Sequence, residues 1–276
     1  MEMKKIFVTG SGGMIGYYLE SVFRDFDLIL TDLEGDHIKL DVGDYKATRK
    51  LIMEAKPDII LHLAAATDVD RCEKDKSWAY TCNMEGTKNV AMVAKDCKAF
   101  MVYMSTGSVF SGKLNRPARE TDIADPVNIY GASKFAGEKE VGSILKDFLI
   151  VRAGWVMGGG PAKDKKFVGK IMEKILSGER VLKVINDKFG SPIYAKDLLK
   201  GIKELLSLNK YGIYHMVNEN AHRCSRYDIT KAIKEILKKE GLNIEPVSSD
   251  AFSLLAPRAL SEELDNFKLK QMGLDF

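Results

Sequence analysis

The apolar run Ile6-Phe7-Val8 leads straight into Thr9-Gly10-Ser11-Gly12-Gly13-Met14-Ile15-Gly16, and nothing else in the chain restricts its fold as strongly. A buried strand that feeds a glycine-rich turn opening a helix is the entrance to a βαβ unit. Glycine turns tightly and lets backbone N–H groups come close to an anion at the start of a helix. Two spacings overlap here, Gly10/Gly12/Gly16 and Gly10/Gly13/Gly16. The loop, with Met14 and Ile15, is therefore a candidate cradle for the pyrophosphate of a dinucleotide.

Alternation continues downstream. Strands are expected at Lys5–Thr9, Asp27–Thr31, Ile59–Leu63, Phe100–Met104 and Phe148–Arg152, with helices over Gly13–Phe23, Tyr45–Ala55, Ser77–Ala94 and around Tyr130. Continuous apolar strands separated by helices predict an α/β fold with a doubly wound parallel (Rossmann) sheet covered on both faces. After Arg152 the pattern loosens at Gly158-Gly159-Gly160-Pro161. Helices are expected at Phe167–Ser177, Ala195–Leu206 and Ser225–Lys238, the last behind a capping-box pattern, Ser225-x-x-Asp228. Short strands are expected at Val181–Ile185 and Gly212–Met216. This divides the chain into a dinucleotide-binding domain over 1–157 and a smaller, mostly helical substrate lobe over 158–276. Segments near 184–218 are expected to return to the sheet.

Asp32 stands 22 positions after Gly10, where the second strand ends. A carboxylate there can accept both ribose hydroxyls of NAD and repel the extra phosphate of NADP, or it can simply close an Asx turn. No Arg or Lys adjoins it in Thr31-Asp32-Leu33, so NAD is the expected cofactor, with NADP left open. Asp41-Val42 ends another apolar run; the Asp41 carboxylate can take the adenine amino group or make a turn.

Ser105-Thr106 closes the fourth strand, and Tyr130-Gly131-Ala132-Ser133-Lys134 follows on a helix. Ligands of an open parallel sheet lie beyond the carboxyl ends of its strands. Tyr130 and Lys134, four apart, share a helix face. An ammonium beside a phenol favours the phenolate, so Tyr130 is expected to become a usable proton donor near neutral pH. Thr106 can donate to a carbonyl oxygen, and Lys134 can hold the ribose. A dinucleotide loop combined with this constellation predicts hydride transfer between a nicotinamide and a carbonyl or alcohol.

Composition excludes other classes. Among 276 residues, 42 are basic and 39 acidic, giving a net charge of +3 with no long block of one sign, so neither nucleic acid nor membrane is indicated as a partner. Cys72, Cys82, Cys97 and Cys224 form no CxxC pair and stand at no metal-ligand spacing from a His; free thiols and no metal are expected. With no leader pattern before the first strand, a cytoplasmic protein is expected. The loop Lys163-Asp164-Lys165-Lys166 reads as a solvated face, or as a contact for a diphosphate.

Together these motifs resemble the extended short-chain dehydrogenase/reductase family, and within it the dTDP-4-dehydrorhamnose reductases and related nucleotide-sugar 4-ketoreductases. The likeness runs through Pro57–Asp70, with Leu63-Ala64-Ala65, and through Cys72-Glu73 and Asn83. It continues through Ser105–Gly112, Glu120, Pro126, Tyr130–Glu138, Arg152-x-x-Trp155, Gly190-Ser191-Pro192, Asp197-Leu198 and Ser261-x-x-Leu264-x-x-x-Lys268. The resemblance implies catalysis by Thr106, Tyr130 and Lys134. It implies cofactor binding by the glycine loop, Asp32, Leu63, Ala64, Ala65, Tyr130 and Lys134, and substrate contacts from Val69, Thr106, Trp155 and Arg258. Trp155 can equally be core, and Asn83 is expected to brace the sheet.

Two departures are visible. Gly107-Ser108 replaces the acidic residue and Tyr that usually follow the threonine, which disfavours dehydration and leaves the sugar open, and Pro257-Arg258 reverses the usual order. A nucleotide-sugar substrate and a monomer or homodimer are implied. A 4-epimerase of the same fold, or a regulatory protein resembling the methionine adenosyltransferase regulatory subunit, remain the alternatives.

Overall fold

The computed structural model describes residues 3–219 and 223–275. Strand and helix alternate first as β1 (Lys5–Thr9), a 3-10 turn (Gly16–Tyr18) running into α1 (Leu19–Val22), β2 (Asp27–Asp32), β3 (Ile38–Lys39), α2 (Tyr45–Ala55) and β4 (Ile59–His62). Next come α3 (Val69–Lys74), α4 (Lys76–Tyr80), a π-helical turn (Thr81–Glu85), α5 (Gly86–Cys97), β5 (Phe100–Thr106), α6 (Ile129–Ile144) and β6 (Phe148–Ala153). The remainder runs β7 (Trp155–Met157), α7 (Gly160–Lys163), α8 (Phe167–Leu176), β8 (Val181–Ile185), β9 (Phe189–Gly190), β10 (Pro192–Tyr194), α9 (Ala195–Ser207) and β11 (Gly212–Met216). It closes with α10 (Arg226–Ile236), β12 (Asn243–Val247), β13 (Ser261–Glu262) and α11 (Phe267–Gln271).

Seven strands form one parallel sheet in the order β11-β6-β5-β4-β1-β2-β3. Period-two alternation explains why both faces are covered. Ile6, Val8, Leu61, Val102, Met104, Leu149 and Val151 pack on one side with α1 and with Leu198, Leu199, Ile202 and Leu205 of α9. Their neighbours Phe7, Ile60, Met101, Tyr103 and Ile150 pack on the other with Ile52 of α2, Val90 and Ala94 of α5, and Val141 of α6. This is the doubly wound Rossmann fold. Chain direction across the sheet reverses between β1 and β4, so the crevice opens at their carboxyl ends.

Beyond β6, α9 and β11 lie against the main sheet, and Leu269 of α11 joins the same core. Helices α8 and α10 pack on a two-stranded parallel ladder, β8 with β12, around Ile171, Ile175, Leu182, Val184 and Leu242. Two further short parallel ladders pair β10 with β7 and β13 with β9. The capping box at Ser225 and Asp228 is formed. No helix among the described residues is long and apolar enough to cross a membrane.

Two helices differ from expectation. The first does not run over Gly13–Phe23; it is a 3-10 turn followed by the four residues of α1. Tyr18 leaves helical geometry (φ −103°, ψ 0°) while its hydroxyl accepts from Gly159 N at 3.0 Å and its ring meets Tyr194 edge-on. The anchoring of that ring to the lobe overrides local helix propensity. The expected Ser77–Ala94 helix is interrupted by the π turn, on which Asn83 reaches the backbone of the β4 loop. Such single π turns favour functional sites.

Candidate active site

The glycine loop sits where the sheet reverses. Gly10 has φ 71°, and a Cβ there would lie 2.4 Å from Ala64 N, so the loop rests directly on the turn after β4. Ala64 N donates to Thr9 Oγ1 at 3.4 Å, and Leu63 N to Thr9 O at 3.0 Å. Among the described residues, the N–H groups of Met14 and Ile15 have no protein acceptor. A loop whose amides stay free at a helix entrance fits a bound pyrophosphate.

Asp32 accepts from Gly12 N at 2.8 Å and from Glu34 N at 3.1 Å. Its carboxylate thus makes an Asx turn and also holds the loop from beneath. Asp41 caps its own turn, accepting from Gly43 N at 2.8 Å. Val42, a further candidate for the cofactor site, has its side chain in the core around α2 and α5, which leaves its backbone to face a ligand.

Thr106 ends β5 and Tyr130 lies in the first turn of α6, with the Thr106 hydroxyl near enough to favour the phenolate. Gly131 makes this approach possible: a Cβ there would stand 2.1 Å from Ser108 O. Asn128 caps the helix, accepting from Gly131 N at 2.8 Å, and holds the tail through Pro257 O at 2.9 Å. Lys134 lies beneath, almost wholly buried, with its ammonium 4.2 Å from the centroid of the Tyr103 ring. It makes no hydrogen bond among the described side chains, and burial pushes its pKa down to about 8. A buried ammonium with no hydrogen-bond partner among the described residues fits the ribose of a nicotinamide nucleotide.

The phenol does not behave as its spacing suggested. Burial pushes Tyr130 up to about 12, the Glu262 carboxylate adds to this, and only the Thr106 hydroxyl opposes it. Desolvation of the phenolate is the largest influence on it. Tyr130 is held protonated at neutral pH.

Behind these groups Asn83 accepts from Ala66 N at 2.8 Å and donates to Ala66 O at 3.1 Å and to Ser133 Oγ at 3.0 Å. It braces the β4 loop against α6, as expected. Trp155 is a wall residue and not core: its Nε1 donates to Glu262 Oε2 at 2.7 Å. Ser108 donates to the other oxygen of the same carboxylate. Arg258, expected at substrate, is tied to Asp70 at 2.9 Å and Ala256 O at 2.8 Å. Val69, beside Asp70, is half-buried at the first turn of α3. Lys166 donates to Thr67 O and Oγ1, both at 3.0 Å.

Sequence reasoning missed Glu262 and Arg226. Glu262 lies inside the Ser261-x-x-Leu264 motif, and its signal was the acid missing after Thr106: the β9–β13 ladder supplies one from the far end of the chain. Arg226, next to the capping residue Ser225, carried no signal of its own.

The model of the family described as RmlD substrate binding domain matches residues 3–275. The chain belongs to this family. Among its relatives is the Bacillus subtilis spore coat polysaccharide biosynthesis protein SpsK, 34% identical over 274 residues, covering 99% of this chain and 93% of that protein. A dTDP-4-dehydrorhamnose reductase from Bacillus anthracis, solved in complex with NADP, superposes with a TM-score of 0.91 at 30% identity, covering 99% of this chain and 94% of that one. A UDP-glucose 4-epimerase from Thermus thermophilus, solved with NAD, has a TM-score of 0.83 at 21% identity over 98% of this chain and 93% of its own; that likeness is one of fold. With its family, this chain is an oxidoreductase of the extended short-chain dehydrogenase/reductase type.

Proposed function

We propose that the protein reduces the 4-keto group of a nucleotide-linked deoxysugar with NAD(P)H, as a dTDP-4-dehydrorhamnose reductase does. The observation that carries this reading is the placement of Thr106 at the end of β5, Tyr130 in the first turn of α6 and, one turn on, a buried Lys134 with no hydrogen-bond partner among the described residues. Relatives of 30% identity or more support reduction over epimerisation.

In this reading Gly10, Gly12, Gly13, Met14, Ile15 and Gly16 hold the pyrophosphate and Asp32 the adenosine ribose. Asp41 lies toward the adenine, Leu63, Ala64 and Ala65 line the nicotinamide side, and Lys134 holds the second ribose. Bound there, the nicotinamide supplies the hydride. Thr106 donates a hydrogen bond to the sugar carbonyl oxygen and orients it. Tyr130 gives its proton to that oxygen as charge develops there. A phenol with a raised pKa still suffices, because an alkoxide is far more basic than a phenolate. Residues beyond 157 that do not return to the sheet form the substrate side, with Trp155 and Val69 toward the sugar.

The test is oxidation of NADH and of NADPH by purified protein, offered dTDP-, UDP- and GDP-linked 4-keto sugars in turn. Sugar-dependent oxidation with net release of oxidised cofactor is expected. Sugar inversion on a cofactor that never leaves the protein would assign an epimerase instead. No turnover with any of them would leave the regulatory alternative.

A further inference from the structure

Arg226 occupies the first turn of α10, and its guanidinium carbon lies 5.0 Å from the centroid of the Trp155 ring and 4.9 Å from that of Phe167. The group is held between two aromatic rings from different elements, β7 and α8. Among the described residues it makes neither a hydrogen bond nor an ion pair. The other arginines of this region do: Arg258 is bound by Asp70, and Arg223 by Glu263. Burial pushes the Arg226 pKa down, Arg258 adds to this, and Glu262 opposes it. A guanidinium carries five N–H donors in a planar fork suited to phosphate oxygens. Donors that meet no protein acceptor in a half-buried site between two aromatic rings favour an anion there.

The wall that carries Arg226 also carries the catalytic groups. Tyr130 feels the charge of Glu262; Glu262 holds Ser108 and Trp155; Trp155 underlies Arg226. A pyranose bridges such a wall naturally. Its C4 stands across the ring from C1, so a sugar presenting C4 to Thr106 and Tyr130 directs its anomeric oxygen away from them. In a nucleotide sugar that oxygen carries the diphosphate. We propose that Arg226 binds the diphosphate of the substrate, clamped in place by Trp155 and Phe167, and so sets the distance between the anionic anchor and the reacting carbon. This rests on the nucleotide-sugar reading above.

The test is calorimetric titration of the full chain with dTDP, UDP and GDP, using wild type, Arg226→Gln and Arg226→Lys. The nucleotide that wild type binds best is expected to bind Arg226→Gln about 10–100-fold more weakly, the loss of charge-assisted hydrogen bonds. Arg226→Lys is expected to recover part of the loss, since it keeps the charge without the fork. Affinity for NADH and the melting temperature are expected to hold in both variants. Equal affinity of wild type and Arg226→Gln for that nucleotide overturns the assignment. A wild-type protein that binds none of the three retires the nucleotide-sugar reading itself, and this inference with it.

Discussion

Glu138 and Arg152 meet in a two-pronged ion pair, with Nε at 2.9 Å and Nη2 at 2.7 Å from the two carboxylate oxygens. Both side chains are almost wholly buried, and Ser105 donates to the same carboxylate. The pair therefore fastens β5 just before Thr106, α6 two turns after Tyr130, and β6. Glu138→Ala would strand a buried guanidinium whose Nη1 already lacks a partner. We expect a loss of about 3–5 kcal/mol in urea unfolding. The double change Glu138→Leu with Arg152→Met, which removes both charges, is expected to regain most of it. A single-variant loss below about 1 kcal/mol would show that the pair fastens nothing.

Tyr130→Phe removes the proposed proton donor and leaves the ring in place. Turnover is expected to fall on the order of 10²–10⁴-fold while the KM for cofactor stays close to wild type. Steady-state assays with saturating NADH and the best keto-sugar measure it. Undiminished turnover would take Tyr130 out of the chemistry.

Asp32→Ala tests the choice of cofactor. The carboxylate braces the loop through Gly12 N and, in the proposed function, also meets the adenosine ribose. Without it, the ratio of kcat/KM for NADH over NADPH is expected to fall, since the charge that repels a 2′-phosphate is gone. If both cofactors weaken equally and the ratio holds, Asp32 is a loop brace alone.

The glycine loop, Thr106, Tyr130 and Lys134 were legible because each depends on neighbours close in sequence. Strand, turn and helix start lie within a dozen residues, and Tyr130 and Lys134 share a helix face whatever surrounds them. The boundaries of α2, β8 and β11 were legible for the same reason. What depends on distant packing was not. The sign of the Tyr130 shift is decided by burial and by Glu262, which meets Ser108 across 154 positions. The broken first helix depends on Tyr18 reaching Gly159, 141 positions away. The ion pair of Arg258, which the resemblance put at substrate, was not legible because its partner, Asp70, lies 188 positions before it.

His62 and His215 tie stability to acid. His62 is fully buried between Thr9 Oγ1, 2.7 Å from Nδ1, and Thr87 Oγ1, 3.0 Å from Nε2. His215 lies with Nδ1 3.0 Å from Ala118 O, so that nitrogen carries its proton. Burial pushes both imidazoles down to about 3. In the unfolded chain a histidine titrates near about 6.5. Above that value neither state binds the proton and the two imidazoles leave stability unaffected by pH. Below it the unfolded chain takes up protons that the fold refuses, so stability falls as pH falls, until the folded groups titrate. Each histidine is expected to contribute a slope approaching about 1.4 kcal/mol per pH unit between about pH 6 and about pH 5, before most carboxylates begin to protonate. Urea unfolding across that window measures the slope, and His62→Asn is expected to reduce it by one proton's worth. A flat profile there would mean that the buried imidazoles are charged inside the fold.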